Sequence, residues 1–309
     1  MKQIAISVVC LILTACVALA ENQTPIPTDK LAEIQARGTL VIATDASYAP
    51  QSQLIEGSKQ RRETKCEATQ YSANRFQGFD VDIAVQIAIQ LGVEPCFVTP
   101  PWSQLVAGSW GDNWDIHAGS VAITFDRMKD LYFTSPYYAT PTVLVVHEEN
   151  TSFGKAEDLS GKRIGACVAC TFEAYLNGNL KIPGQEIEYR IKDAVIVAYE
   201  NENPALEDLS QGDGVKLDAV MTLLPKARTA IAEGQPVRIL DEPVLYTYAS
   251  VTLDRSASRS SLRFWNEINR VIHELHASGR LSELSVQYQG EDLTQAAAIY
   301  DINTLNQFP

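Results

Sequence analysis

The sequence predicts an α/β protein made of two lobes that are joined by two strands. Short apolar strands alternate with helices over residues 39–107 and again over residues 163–239. This alternation is typical of a mostly parallel sheet that helices cover on both faces. Apolar segments over 143–146 and 249–253 leave the first series and return to it, so we expect a hinge of two crossings. A cleft should lie where the carboxyl ends of strands from both lobes face each other.

Local signals support the individual elements. Over residues 80–91, Ile83, Ile87 and Leu91 recur every four positions and Gly92 follows, which predicts an amphipathic helix. Residues 51–75 interrupt the pattern as a long polar loop, which is expected to be functional or mobile. The remaining predicted elements are strands over 39–43 and 94–98 and helices over 102–107, 258–277 and 280–288.

These elements divide the chain into consecutive regions. We expect a signal peptide over 1–20, a linker over 21–37, a first lobe over 38–142 and 246–290, a second lobe over 143–245 and a C-terminal tail over 291–309.

The N-terminus predicts export. Lys2 precedes an apolar run over 4–13, and small residues follow it. Cleavage after Ala20 would give a soluble periplasmic protein, whereas acylation of Cys16 in a lipobox would give a tethered one; we favour the soluble form. No other stretch is long and apolar enough to span a bilayer.

Composition excludes some partners. The formal net charge of −13 argues against nucleic acid, which requires a basic face. We expect a monomer without a cofactor. The four histidines (His117, His147, His273 and His276) show no pairing with a nucleophile.

Four cysteines follow the predicted signal peptide: Cys66, Cys96, Cys167 and Cys170. In an oxidising compartment an even number favours disulfides. Cys66 with Cys96 would tie the long loop to a strand, and Cys167 with Cys170 would close a C-x-x-C. Redox-active thiols and a metal site are the alternatives.

A carboxylate site is predicted around Arg127. A strand followed by the small-residue segment 119–124 should expose backbone N–H groups in a turn, and Asp126-Arg127 follows one residue later. A guanidinium offers a planar pair of donors, and free amides can bind the other side of an anion.

Five segments, in order, resemble the family 3 extracellular solute-binding proteins, which are receptors of polar amino-acid ABC importers. The match runs from about Gly38 to about Tyr288. Its segments are 38–50 (GTLVIATDASYAP), 78–84 (GFDVDIA), 120–138, 158–165 (DLSGKRIG) and 218–222 (DAVMT). The resemblance implies the bilobal periplasmic-binding-protein (Venus-flytrap) fold.

The resemblance also implies a set of ligand-binding residues. Arg127 and the backbone of Ser120 to Ala122 would clamp the ligand carboxylate, although Ala122 lacks the hydroxyl that is common there. In the second lobe, Cys170 and Thr171 would complete the pocket with helix N-terminal amides, and Thr171 is also a good N-cap.

Three further first-lobe residues are candidates for the site. Asp45 would accept from an ammonium group or cap a turn. Tyr48 would stack on the ligand or fill the core, and Trp102 would wall a side chain or pack internally.

Leu223 departs from the family pattern. It stands where amino-acid binders carry the aspartate that holds the α-ammonium group, and a buried ammonium without a carboxylate is costly. Asp45 would then have to compensate, or the ligand lacks the amine. Leu223 alone predicts that organic acids bind better than neutral α-amino acids.

The sequence therefore predicts a receptor that captures a small carboxylate-bearing solute, an amino acid or related organic acid, and delivers it to an ABC permease in the inner membrane. A cyclohexadienyl-dehydratase-like enzyme is one alternative, since one fold hosts both activities. An accessory or sensor protein of a periplasmic system is the other.

Overall fold

The computed structural model describes residues 27–240 and 242–308. The predicted signal peptide, with Cys16, and the first part of the predicted linker lie outside these residues. None of the described helices is long and apolar enough to cross a membrane.

The described chain alternates strands and helices as the sequence predicts. Its strands are β1 (Thr39–Ala43), β2 (Ser47–Tyr48), β3 (Ser52–Leu54), β4 (Tyr71–Ser72), β5 (Phe76–Gln77), β6 (Glu94–Val98), β7 (Ile116–Ala122), β8 (Leu131–Phe133), β9 (Tyr138–His147), β10 (Arg163–Cys167), β11 (Val195–Tyr199), β12 (Ala219–Leu223), β13 (Val237–Ile239) and β14 (Leu245–Asp254). Its helices are α1 (Lys30–Arg37), α2 (Phe79–Gln90), α3 (Trp102–Ala107), α4 (Thr171–Leu176), α5 (Glu202–Leu209), α6 (Leu224–Ala232), α7 (Leu262–Ala277), α8 (Arg280–Gln289) and α9 (Gln295–Ala298).

One sheet runs through both lobes. Its strand order is β11-β10-β12-β9-β14-β7-β1-β6-β4, with β13 on β9 and β8 on β14. β1 is parallel to β6 and β7 in the first lobe, and β10 is parallel to β11 and β12 in the second. The bilobal α/β architecture is therefore confirmed.

The two longest strands form the hinge. β9 and β14 pair antiparallel, from Leu245 opposite Thr142 to Ala249 opposite Tyr138. Beyond this ladder β9 continues against β12, whereas β14 continues against β7 and β8. Each strand thus begins in one lobe and ends in the other, which is the predicted pair of crossings.

Helix α1 corrects the predicted linker. The sequence analysis assigned residues 21–37 to a linker, but 30–37 are helical. The Asp29 side chain accepts from the N–H of Ala32 at 2.9 Å and caps the helix. Leu31 and Ile34 are buried in the first-lobe core, because positions three apart share one helix face.

The C-terminal tail predicted over 291–309 packs on the first lobe in its described part. Ile302 is buried in the first-lobe core. The Gln307 side-chain oxygen accepts from the Phe133 N–H at 2.7 Å, and its amide donates to the Phe133 carbonyl at 2.8 Å. Phe308 stacks on Tyr132 with ring centroids 4.0 Å apart. The sequence analysis did not identify these anchoring residues, because they are few and most of the tail is polar.

The polar loop over 51–75 covers an edge of the main sheet. β4 pairs antiparallel with β6, and Cys66 is disulfide-bonded to Cys96 in β6 with Cα atoms 5.4 Å apart. The Lys65 N–H donates to the Glu94 carboxylate at 2.8 Å. Edge strands need such protection, so this loop has a structural role.

Gly78 marks a close approach of two backbone segments. Its φ is 135°, and a Cβ atom there would overlap the carbonyl oxygen of Gln51. The N–H groups of Phe79 and Asp80 donate to the Pro50 and Gln51 carbonyls at 3.1 and 2.9 Å, so the segments cannot separate freely.

Gly78→Ala should lower the free energy of unfolding by about 3 kcal/mol or more, since backbone strain and steric overlap add. Gly57→Ala is the matched control, because Gly57 has a φ of 71° with no atom within 4 Å of an added Cβ. Only the conformational penalty, about 1–2 kcal/mol, should appear there. Urea denaturation of both variants measures the difference, and equal losses would show that the close approach is unimportant.

Candidate functional site

A cavity between the lobes collects the predicted residues. The space not filled by protein atoms is about 580 Å³, part of it open to solvent. We call it the interlobe cavity. It is lined by Asp45, Tyr48, Trp102, His117, Gly119, Ser120, Ala122, Arg127, Cys167, Cys170, Thr171, Phe172, Glu200, Asn201, Glu202, Leu223 and Thr247. All nine residues predicted to bind the ligand are in this list, and their contacts with a ligand stay a prediction.

Arg127 is a buried cation without an acidic partner among the described residues. No carboxylate oxygen of that part of the chain lies within 4.0 Å of its guanidinium nitrogens. Nη1 donates to the carbonyl of Ala122 and Nη2 to the carbonyl of Ala169 in the second lobe, each at 3.1 Å. Burial alone lowers the pKa of Arg127 to about 10. The remaining donors of the guanidinium are therefore available to an anion.

Trp102 supports the guanidinium from one side. The Arg127 Cζ atom lies 5.2 Å from the centroid of the Trp102 ring. This is a cation–π contact within the protein. The predicted contact of Trp102 with a ligand side chain stays a prediction. The Trp102 indole nitrogen is buried without a hydrogen-bond partner in the described chain.

Ser120 differs from its predicted role. It lies within β7, where the register against β14 shifts, and its φ is 57°. Its N–H donates to the Tyr137 hydroxyl at 3.0 Å and its own hydroxyl donates to Asp80 at 2.7 Å. The prediction of a turn with a free Ser120 amide is wrong, because a strand bulge and a buried polar network use these groups.

His117 was missed by the sequence analysis. Its imidazole is fully buried at the interlobe cavity, and both ring nitrogens lack a partner among the described residues. Its ring centroid lies 5.8 Å from that of Trp102. Burial, and secondarily the charge of Arg127, lowers the pKa of His117 to about 3, so the ring is neutral. The sequence feature that could have identified His117 is its place as a polar residue within an otherwise apolar strand.

The second lobe supplies the opposite wall. Cys167, at the end of β10, is disulfide-bonded to Cys170, with Cα atoms 5.5 Å apart. Cys170 is the N-cap residue of α4, and Thr171 is its first helical residue. The predicted pairing is confirmed, whereas the N-cap role predicted for Thr171 is wrong by one position.

Three carboxyl groups line the cavity away from Arg127. Asp45 accepts from the Ser47 N–H at 2.7 Å and from the Ser47 hydroxyl at 3.0 Å, so it does cap a turn. Glu202 is 5% exposed, and burial raises the pKa of Glu202 to about 7. Glu200 is the third acid. Leu223 is 6% exposed and supplies an apolar surface at the end of β12.

Glu200 and Glu202 were also missed by the sequence analysis. They follow β11 directly, and Asn201 between them caps α5 by accepting from the Asn203 N–H at 3.0 Å. The signal was their place at the carboxyl end of a strand of the second-lobe sheet.

The lobes are in contact across the cavity. The Asn203 side chain donates to the Ser47 carbonyl at 2.9 Å, and the Phe125 N–H donates to the Lys181 carbonyl at 3.0 Å. Tyr48, a first-lobe residue, packs on the second-lobe core. These contacts and the Arg127–Ala169 bond describe a closed conformation.

Two lobes closed on a polar cavity define a solute-binding protein. The family model for bacterial extracellular solute-binding proteins, family 3, matches residues 64–291. The chain belongs to this family.

Relatives of known name agree with that assignment. The L-cystine-binding protein TcyJ of Escherichia coli (strain K12) is 25% identical over 275 residues, covering 86% of this chain and 88% of its own. The histidine-binding periplasmic protein of the same strain is 25% identical over 259 residues, covering 80% of this chain and 86% of its own.

Solved structures share the fold. The ancestral amino acid-binding protein AncCDT-1, a precursor of cyclohexadienyl dehydratase, superposes with a TM-score of 0.67 at 23% identity, covering 84% of this chain and 99% of its own. A P235GK mutant of ArgBP from T. maritima superposes with a TM-score of 0.66 at 23% identity and the same coverage.

Removing the Cys167–Cys170 disulfide should affect binding more than stability. The bridge lines the cavity but spans only 3 residues, so its loss should cost about 1–2 kcal/mol of stability. The control is removal of Cys66–Cys96, which spans 30 residues and should cost about 3–4 kcal/mol while leaving the cavity intact. Paired serine variants, compared by Tm and by calorimetric titration, test this. The prediction would be contradicted if loss of Cys167–Cys170 lowered stability more than affinity and loss of Cys66–Cys96 lowered affinity more than stability.

The stability of the ligand-free protein should report on Glu202. Its folded pKa of about 7 lies above the ordinary value of 4.5, so the folded state holds the extra proton and loses stability as the pH rises through this window. The lowered pKa of His117 makes stability rise with pH over part of the same range. The effect of Glu202 is therefore measured as the difference between a variant and the wild type. The Tm difference between Glu202→Gln and wild type should grow from about pH 4.5 to about pH 7. Glu207→Gln, an exposed change on the same helix, is the control, and a pH-independent difference would contradict the expectation.

Proposed function

We propose that the protein captures a small carboxylate-bearing solute in the interlobe cavity and delivers it to an ABC permease. One observation carries this proposal: Arg127 is buried between the lobes without an acidic partner in the described chain. A buried guanidinium without a negatively charged partner is costly, and an anion that accepts its free donors lowers that cost. A ligand carboxylate is the group that fits.

Closure of the lobes is the proposed mechanism. Arg127 and Trp102 belong to the first lobe and Thr171 to the second, so a ligand between them gains contacts that the open state lacks. We propose that the lobes comprise residues 38–142 with 246–290 and residues 143–245, and that they move about β9 and β14. The closed form would then dock on the permease.

The relatives support this role in transport. Family members bind amino acids and work with ABC permeases, and two relatives of this chain are named for binding cystine and histidine. We place the protein outside the cytoplasmic membrane as a monomer, released by cleavage after Ala20. Anchoring through Cys16 is the alternative.

We propose binding without turnover. Leu223 provides no acid or base at the end of β12. The structure does contain one serine–histidine contact, Ser135 Oγ to His273 Nε2 at 2.9 Å, which the sequence analysis missed, but neither residue lines the interlobe cavity. An intact ligand recovered after prolonged incubation distinguishes a receptor from a dehydratase, and co-purification with a permease distinguishes it from a sensor.

Arg127→Ala should weaken carboxylate binding by about 2–5 kcal/mol, because the ligand loses a desolvated charge partner. Arg127→Lys should recover only part of this, since an ammonium group lacks the planar fork. The control is Lys129→Ala, whose side chain is 71% exposed two residues away. Calorimetric titration of each folded variant measures the effect. Unchanged affinity in Arg127→Ala would refute the role.

Ligand binding should reduce the radius of gyration in small-angle X-ray scattering, because the two lobes close on the ligand. The closed structure described above sets the expected end point. A radius that stays constant at saturating ligand would contradict closure.

A further inference from the structure

Two neighbouring aromatic side chains carry unpaired polar atoms at the interlobe cavity. These atoms are both ring nitrogens of His117, a residue that is 1% exposed, and the indole nitrogen of Trp102. All three are buried, and none has a hydrogen-bond partner among the described residues. Buried polar atoms are rarely left in this state, because each one has given up its hydrogen bonds to water. The proposed contact of a carboxylate with Arg127 assigns no partner to them.

Gly119 leaves room for the His117 ring on the cavity side of β7. Residues 117 and 119 lie on the same face of this strand, since side chains two positions apart point the same way. A Cβ atom at Gly119 would lie 2.5 Å from the His117 Nε2 atom. The imidazole therefore leans along β7 over the backbone of Gly119, which itself lines the cavity.

The neighbouring protein groups do not supply the missing partners. Thr252 is opposite His117 in β14, but its own hydroxyl is buried and unpaired in the described chain. Arg127 carries only donors, so it cannot accept from either ring. Water can bind the three atoms in an open cleft. A ligand that displaces this water without replacing its hydrogen bonds loses affinity.

The hydrogen-bonding capacity of the two rings defines the group that matches them. A neutral imidazole has one donor and one acceptor nitrogen, and the Trp102 indole adds a second donor. A hydroxyl or a carboxamide both accepts and donates. A second carboxylate would leave the imidazole acceptor unpaired. An ammonium group would leave both N–H donors unpaired, and it would approach the charge of Arg127, whose Cζ atom lies 5.2 Å from the Trp102 ring centroid.

We propose that His117 and Trp102 form a subsite that binds an uncharged donor–acceptor group of the solute, a hydroxyl or a carboxamide. This inference rests on the proposed function, because it takes the carboxylate of the same solute to be held at Arg127. The subsite selects among carboxylates by their second polar group. An apolar group in its place would leave desolvated donors and an acceptor unpaired, which is the kind of mismatch that gives strong discrimination.

The test compares carboxylates that differ only in this group. Suitable probe pairs are threonine with valine, asparagine with leucine, 3-hydroxybutanoate with 3-methylbutanoate and glutaramate with 5-methylhexanoate, so acids with and without an amine are both included. Each is titrated calorimetrically into the wild type. In the pair that binds most tightly, the polar member should bind about tenfold or more tightly than its apolar partner. Equal affinities, or a preference for the apolar member, would overturn the inference.

Single variants locate the preference at the two rings. His117→Leu and Trp102→Phe remove the proposed hydrogen bonds, and each should reduce the preference to about threefold or less. Trp114→Phe is the matched control and should keep the wild-type preference. The Trp114 indole nitrogen is also buried without a partner in the described ranges, but Trp114 is not among the residues that line the cavity.

A purely structural role of His117 predicts a different result. His117→Leu removes two unpaired buried polar atoms, so it should leave the Tm of the ligand-free protein unchanged or raise it. If this variant does not fold, Trp102→Phe decides. A preference that survives in every folded variant of the two rings, or that Trp114→Phe reduces equally, would overturn the inference.

Two further carboxylates, glutarate and hexanoate, separate failure of this inference from failure of the proposed function. If carboxylates bind and Arg127→Ala weakens their binding, but the polar preference is absent or does not depend on the two rings, the inference is overturned and the proposed function stands. The same conclusion follows if glutarate or hexanoate binds through Arg127 and no polar probe binds. If none of these carboxylates binds, or binding ignores Arg127, both fail.

Discussion

The uncompensated burial of Arg127 is the constraint on which this molecule depends. Its guanidinium donates to backbone carbonyls of both lobes, at Ala122 and at Ala169, and the side chain is buried. Carbonyl groups satisfy donors but do not neutralise charge. In the proposed function, a ligand carboxylate supplies the missing negative charge. The presence of that carboxylate would then be coupled to the relative position of the two lobes.

The sheet supplies the geometry for this coupling. β9 pairs with the second-lobe strands β12 and β13, β14 pairs with the first-lobe strands β7 and β8, and β9 and β14 pair with each other. The ladder between β9 and β14 is therefore the hinge about which we propose that the lobes move. The strands that end at the cavity come from different lobes, with Ala122 closing β7 and Leu223 closing β12. In the closed conformation, residues distant in sequence therefore line one cavity.

Much of the fold and many of the residues that line the interlobe cavity were predictable from sequence, whereas the hydrogen-bond partners were not. The spacing of apolar residues along a short segment indicates whether it forms a helix or a strand, so α2 and α3 were predicted correctly. The linker prediction failed at α1 because its polar surface residues outnumber Leu31 and Ile34. Ser120 was misjudged because its partners, Tyr137 and Asp80, are remote in sequence. Glu202 was missed because its burial depends on packing against residues remote in sequence, and its signal in the sequence was only its place after β11.

The most direct test of the account is to compare a ligand acid with its primary amide. The amide keeps the size and shape of the ligand but removes the negative charge that Arg127 is expected to meet. In a double-mutant cycle, the wild type should lose about 2 kcal/mol or more on going from acid to amide, and Arg127→Ala should show almost no difference between them. Equal affinity of the wild type for acid and amide would contradict the claim that a ligand carboxylate completes the buried guanidinium.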